Sequence, residues 1–156
     1  MSRSTGIMVV CLVAAAVLGA GCGPARPPVV PVSGTVTVDG RPLTTGAITV
    51  APANGRAAGG RIGPDGRFEL SSWQPGDGVT VGTHRVEVIA TKPLSGNRRQ
   101  WLVPAPVRSL GTTPLRLEVT GPTTAAVVAI ETGGEPLEIE SLDGGQVDEG
   151  LYDQKP

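Results

Sequence analysis

From Val32 onward the chain alternates apolar and polar residues in short runs broken by Gly, Pro and Asp, and no run carries apolar residues at helical spacing. Period-two alternation is the signature of strands with one buried face. Val36 and Val38 share a face, Asp39-Gly40-Arg41-Pro42-Leu43 makes a turn, and residues 47–51 return as the second arm of a hairpin. A second hairpin turn is predicted at Pro64-Asp65-Gly66, with Phe68 and Leu70 inward and Arg67 and Glu69 toward water. Residues 83–91 form a longer strand, with His84, Val86 and Val88 on one face and Arg85 and Glu87 on the other. Two more strands follow at 115–120, with Leu115, Leu117 and Val119 inward, and at 125–131. About seven short strands separated by turn signals predict an all-β fold, a single small two-layer sandwich over residues 32–131. Phe68, Trp73, Trp101 and Tyr152 are the only aromatic residues, so the core is aliphatic and its stability modest.

The first two dozen residues follow another rule. Arg3 precedes an apolar run at 7–20, too short to span a bilayer comfortably, and small residues follow before Cys22. These are the parts of an export signal, assigned to residues 1–21. Leu18-Gly19-Ala20-Gly21-Cys22 resembles the lipobox of bacterial lipoproteins, with Gly19 where that box favours a large aliphatic residue. The resemblance implies that Cys22 is acylated and becomes the mature N-terminus. A secreted chain cut nearby and an uncleaved anchor helix are the alternatives, and all three place the rest of the chain outside the cytosol. Cys11 falls within the signal, so Cys22 is the sole thiol of the mature chain and no internal disulfide forms.

Between signal and sandwich, residues 22–31 carry prolines at 24, 27, 28 and 31 and read as an extended tether. In polyproline II geometry it would hold the domain on the order of 25 Å from the lipid surface. Charge is divided along the chain in a way its net value of −1 hides. Residues 31–130 carry ten Lys/Arg against six Asp/Glu, whereas residues 131–156 carry one against eight. The Gly-rich acidic stretch 132–156 is expected to be mostly disordered, apart from a short strand at 136–139. It is expected to act as a solubilising tail, the alternatives being that it folds back on the basic sandwich or contacts a positively charged partner.

The stretch Val32-Ser-Gly-Thr-Val-Thr-Val-Asp-Gly-Arg-Pro-Leu43, followed by Gly46-Ala47 and by Gly63-Pro-Asp-Gly-Arg-Phe-Glu-Leu70, resembles the carboxypeptidase regulatory-like domain. The similarity extends through Val81-Gly-Thr-His-Arg-Val-Glu-Val88, Leu102-Val103-Pro104 and Thr113-Pro114-Leu115, about a hundred residues. It implies a transthyretin-like β-sandwich with a non-enzymatic accessory character. Val81 replaces the family's usual proline and His84 its usual aromatic residue.

Candidate chemistry is sparse. His84 is the only histidine, and with no second His or Cys beside it, it reads as a core residue bonded to a backbone carbonyl. The nucleophile-elbow pattern Gly-x-Ser-x-Gly is absent. Residues 55–62 have phosphate-loop spacing but place Arg61 and Ile62 where Lys and Ser/Thr are needed, so they read as an inter-strand loop. Asp39 and Asp65 each precede a turn glycine and read as turn chemistry before calcium ligands. Arg98, Arg99 and Trp101 form a basic aromatic segment suited to acidic glycans, and Trp73 adds a second stacking surface should both rings share one rim.

The composite expectation is a lipid-anchored bacterial envelope protein, on the periplasmic side or at the cell surface. It has a non-catalytic structural or protein-binding sandwich, no metal or other cofactor and no nucleic-acid partner. Its partners are the membrane, through the lipid, and envelope proteins or glycans. The alternative is a carbohydrate-binding module using Trp73 and Trp101, and a third class is an enzyme with an unrecognised site.

Overall fold

The computed structural model describes residues 26–134 and 136–142. The residues expected to form an export signal, Cys22, Tyr152 and the acidic stretch from 143 onward lie outside the described residues. The strands are β1 (Val32–Val38), β2 (Arg41–Pro42), β3 (Gly46–Ala51), β4 (Ala58–Ile62), β5 (Arg67–Glu69), β6 (Gly82–Ile89), β7 (Thr91–Leu94), β8 (Arg98–Trp101), β9 (Arg116–Val119), β10 (Thr123–Ile130) and β11 (Ile139–Ser141). One 3-10 turn at Ala105–Arg108 interrupts them, and the described residues contain no α-helix.

Two four-stranded sheets make the sandwich. In the first, β1 lies between β10 on one side and β2 and β5 on the other, and in the second the order is β4-β3-β6-β9. Alternation sends Val36, Phe68, Val128 and Ile130 from the first sheet and Ile48, Val50, Val86 and Val88 from the second into one core. Removing such aliphatic surface from water is what holds the layers together, at about 25 cal/mol per Å². Phe68 and Leu70 are buried while Arg67 and Glu69 are exposed, as the alternation requires. A third, smaller sheet, β11-β8-β7, lies beyond the end of β6.

The pairing of strands departs from the local hairpins read from sequence. Asp39 and Gly40, at φ +48° and +76°, close a hairpin, but its second arm is the two-residue β2, and β3 crosses to the second sheet to pair with β4 and β6. The turn at 63–66 forms, with the Gly66 amide donating to the Gly63 carbonyl at 2.9 Å, yet it passes the chain from β4 in one sheet to β5 in the other. Residues 58–60, expected within a loop, join Arg61 and Ile62 in strand β4, which pairs with β3 and buries Ala58 and Ile62. The glycine at 60 is needed there, since a Cβ would meet the Glu69 carbonyl at 2.4 Å.

The expected tether and tail also differ where they are described. Val30, expected within an extended tether, exchanges two backbone hydrogen bonds with Val79, at 2.9 and 3.1 Å, so the sandwich begins before β1. The predicted strand at 136–139 is found slightly later, as β11, paired antiparallel with β8.

The long-range closure of the first sheet is the parallel pairing of β1 with β10, in register from Gly34↔Ala126 to Val38↔Ile130. At its start the strands approach so closely that a Cβ on Gly34 would sit 1.9 Å from the Ala126 carbonyl oxygen. Gly34→Ala is therefore expected to cost on the order of 1–3 kcal/mol and to lower the melting temperature by several degrees. An unchanged thermal denaturation midpoint would contradict this packing.

Candidate functional site

Trp101 ends β8, opposite Thr91 just beyond the end of β6, whereas Trp73 lies in the loop that precedes β6. The two rings sit at opposite ends of a strand about 26 Å long at ordinary strand rise, so no single platform contains both. Each is paired with cations. The Arg99 and Arg108 guanidinium carbons lie 4.9 and 4.0 Å from the Trp101 ring centroid, and those of Arg26 and Arg56 lie 4.9 and 4.7 Å from that of Trp73.

The basic aromatic segment is occupied by the chain's own acidic residues. Glu140 on β11 accepts from Arg99 Nε at 2.9 Å and from Trp101 Nε1 at 3.0 Å, and Glu138 accepts from Arg108 Nη1 at 2.7 Å. The Trp101 amide also donates to the Glu138 carbonyl at 2.8 Å. Hydrogen bonds from Arg99 and then Trp101 hold the Glu140 carboxyl below the usual carboxylate range, against the upward push of burial. Arg98 is exposed and donates to the Ser95 carbonyl. A glycan stacking on Trp101 would compete with the Arg99 and Arg108 guanidiniums that lie over its ring. Glu138, Glu140 and Arg108 were not singled out from sequence; the alternating Leu137-Glu-Ile-Glu140, set against the basic charge of the sandwich, was the available signal.

At the other end, Asp77 organises the Trp73 loop by accepting from the amides of Ser72 at 2.7 Å, Trp73 at 3.0 Å and Gln74 at 2.9 Å. Burial pushes this carboxyl up, but the three amides and Arg56 outweigh it and leave it below its usual value. Arg56 Nε donates to the Ser72 carbonyl, fixing the guanidinium beside the ring.

The turn aspartates act on backbone and threonine. Asp39 accepts from the Thr132 hydroxyl at 2.7 Å and its amide at 2.9 Å, fastening the segment after β10 to the β1–β2 turn, and these bonds lower its pKa. Asp65 accepts from the Arg67 amide at 3.1 Å. No group of three potential metal ligands occurs among the described residues. His84 is 1% exposed, and its Nε2 donates to the Thr80 carbonyl at 2.7 Å, the core role read from sequence. Its Nδ1 is buried with no hydrogen-bond partner.

The remaining feature is an edge. β10 pairs with β1 on one side and with no described strand on the other. Exposed strand edges are normally blunted by charge or proline. Here β2 and β7 carry Pro42 and Pro93, and β4, β5, β9 and β11 carry Arg61, Arg67, Arg116 and Glu140. In contrast, residues 119–130 contain no charged group, β10 itself contains no proline, and Val127 is 64% exposed. A bulge near Thr124 irregularises the start of β10, leaving 126–130 in regular register. A cleft of about 410 Å³ between β9 and β10 lies alongside, with Glu118 the single charged residue lining it.

Comparison with protein-family models, with curated proteins and with solved structures finds no match to this chain.

The clasp of β11 yields a pH prediction. Because the Glu140 pKa is depressed in the folded chain, its contribution is fully present above the ordinary carboxylate pKa and is lost as pH falls through the lowered value. Amides at residues 139–141 should be strongly protected near neutrality and lose that protection, relative to the intrinsic exchange rate at each pH, in acid below the usual carboxylate range, with a parallel change in Trp101 emission. Glu140→Gln should weaken the clasp at neutral pH; a Trp101 environment indifferent to both changes would contradict the assignment.

Proposed function

We propose that this is an exported, lipid-anchored envelope protein whose β-sandwich is a non-catalytic binding module that takes an extended segment of a partner protein alongside β10. The observation that carries the reading is the contrast among edges: β10 is the longest edge strand described and the one with neither charge nor proline within it. Strand addition uses the backbone for affinity and alternate side chains for specificity. The fitting partner segment is uncharged and β-branched where it meets Val127 and Ala129.

The anchor part rests on Arg3, the apolar run 7–20 and the Leu-Gly-Ala-Gly-Cys22 sequence. A carboxypeptidase regulatory-like assignment is part of the same proposal. It is supported by the two-sheet all-β architecture, by the Gly-Pro-Asp-Gly turn at 63–66, and by His84 filling a buried position where that family has an aromatic residue.

Photocrosslinking of the full-length protein in its native envelope, with adducts mapped by mass spectrometry, tests the binding role. Adducts to a partner protein are expected at residues 126–130. Val127→Glu should reduce them about tenfold or more, because a desolvated, unpaired carboxylate is costly, while leaving the melting temperature unchanged. Adducts that persist in Val127→Glu, map elsewhere, or join two copies of this chain would refute partner-strand addition at β10.

A further inference from the structure

We infer that the end of the sandwich bearing Trp73, Arg26 and Arg56 is a lipid-facing surface that rests on anionic phosphodiester headgroups of the membrane holding the anchor. The inference rests on the proposed acylation of Cys22 and extends it to a contact made by the folded domain.

The argument begins with reach. Cys22 and Arg26 are four residues apart, a span of at most about 14 Å even when fully extended. The headgroup layer on each side of a bilayer is itself roughly 5–8 Å thick. From Arg26 onward the chain is not a free spacer. Arg26 lies against the Trp73 ring, and Val30 is bonded in both directions to Val79. Gly78, at φ +86°, comes so close to Val30 that a Cβ there would meet its carbonyl oxygen at 1.8 Å. The loop bearing Trp73 is thus fastened to the segment nearest the acylated residue, and Trp101 is held at the far end of β6.

The chemistry of this end suits the position. Trp73 is 39% exposed, and Arg26 and Arg56 are exposed residues. Tryptophan favours the membrane–water interface, and arginine donates in a planar fork that matches phosphate oxygens. Two carboxylates lie nearby and temper the charge, Asp77 interacting with Arg56, but both are engaged inward and leave the guanidiniums as the outward donors. Asp77 is turned toward the amides of Ser72, Trp73 and Gln74, and Glu69 reaches back over Gly76. Anionic lipid attracts each basic residue near its surface, whereas a zwitterionic surface does so far less.

The test uses the full-length acylated protein reconstituted into vesicles of phosphatidylglycerol with phosphatidylethanolamine, or of phosphatidylcholine alone, each with a headgroup spin label. Trp101→Phe leaves Trp73 as the sole emitter, and Trp73→Phe leaves Trp101. Trp73 emission should shift to shorter wavelength and be quenched, more strongly on the anionic vesicles, while Trp101 emission stays unquenched. The double variant Arg26→Gln/Arg56→Gln should lose the anionic increment while still floating with the vesicles. Protein that floats but shows equal quenching of both tryptophans, or none at Trp73, overturns the lipid-facing surface and leaves the anchor intact. Protein that does not float overturns the anchor and this surface together.

Discussion

The fold depends on β1 being bonded along both edges. It receives β10 in parallel on one side and β5 and β2 antiparallel on the other, while Val32 and Val36 enter the core. A strand paired on both sides has its backbone groups satisfied and cannot shift register without turning its valines to water. Gly34 makes this possible, because the Ala126 carbonyl occupies the space a side chain would need. The constraint continues upstream through Val30, so the segment that enters from the N-terminus leads directly into the central strand.

Electrostatics then divides the surface. The acidic residues after β10 close over the basic aromatic segment of β8, so Arg99 and Arg108 meet carboxylates of the same chain. Such partly exposed pairs contribute modest stability singly, but together with the β8–β11 ladder they cover the Trp101 end. The Trp73 end keeps its cations outward, and the β10 edge carries no charge. Three surfaces of distinct character therefore occupy distinct places on one small sandwich: a self-covered end, a cationic aromatic end beside the entering chain, and a neutral edge.

Much of the inside was legible in the sequence, because alternation encodes which face a residue takes. Phe68, Leu70, Val86, Val88, Leu117 and Val119 are buried where the period places them. Alternation does not encode the partner strand. The parallel match of β1 with β10 and the crossing of β3 and β5 between sheets join residues far apart in sequence, which local turn chemistry at Asp39-Gly40 or Pro64-Asp65-Gly66 cannot specify. β8 was hidden by its charge and by the neighbouring Pro93, and β11 is held by guanidinium partners some forty residues earlier. Trp73 and Trp101 were visible as candidates, but the arginines that flank Trp73 come from positions 26 and 56, and only the folded chain brings them together.

The proposed role joins these surfaces to a lipid anchor at one end of a chain whose central strand begins ten residues later. Intact-mass measurement of the protein extracted from membranes of cells that make it addresses that junction most directly. The mass predicted is that of a chain starting at Cys22 and carrying acyl groups on that residue. A soluble species retaining Met1 and no lipid would contradict it.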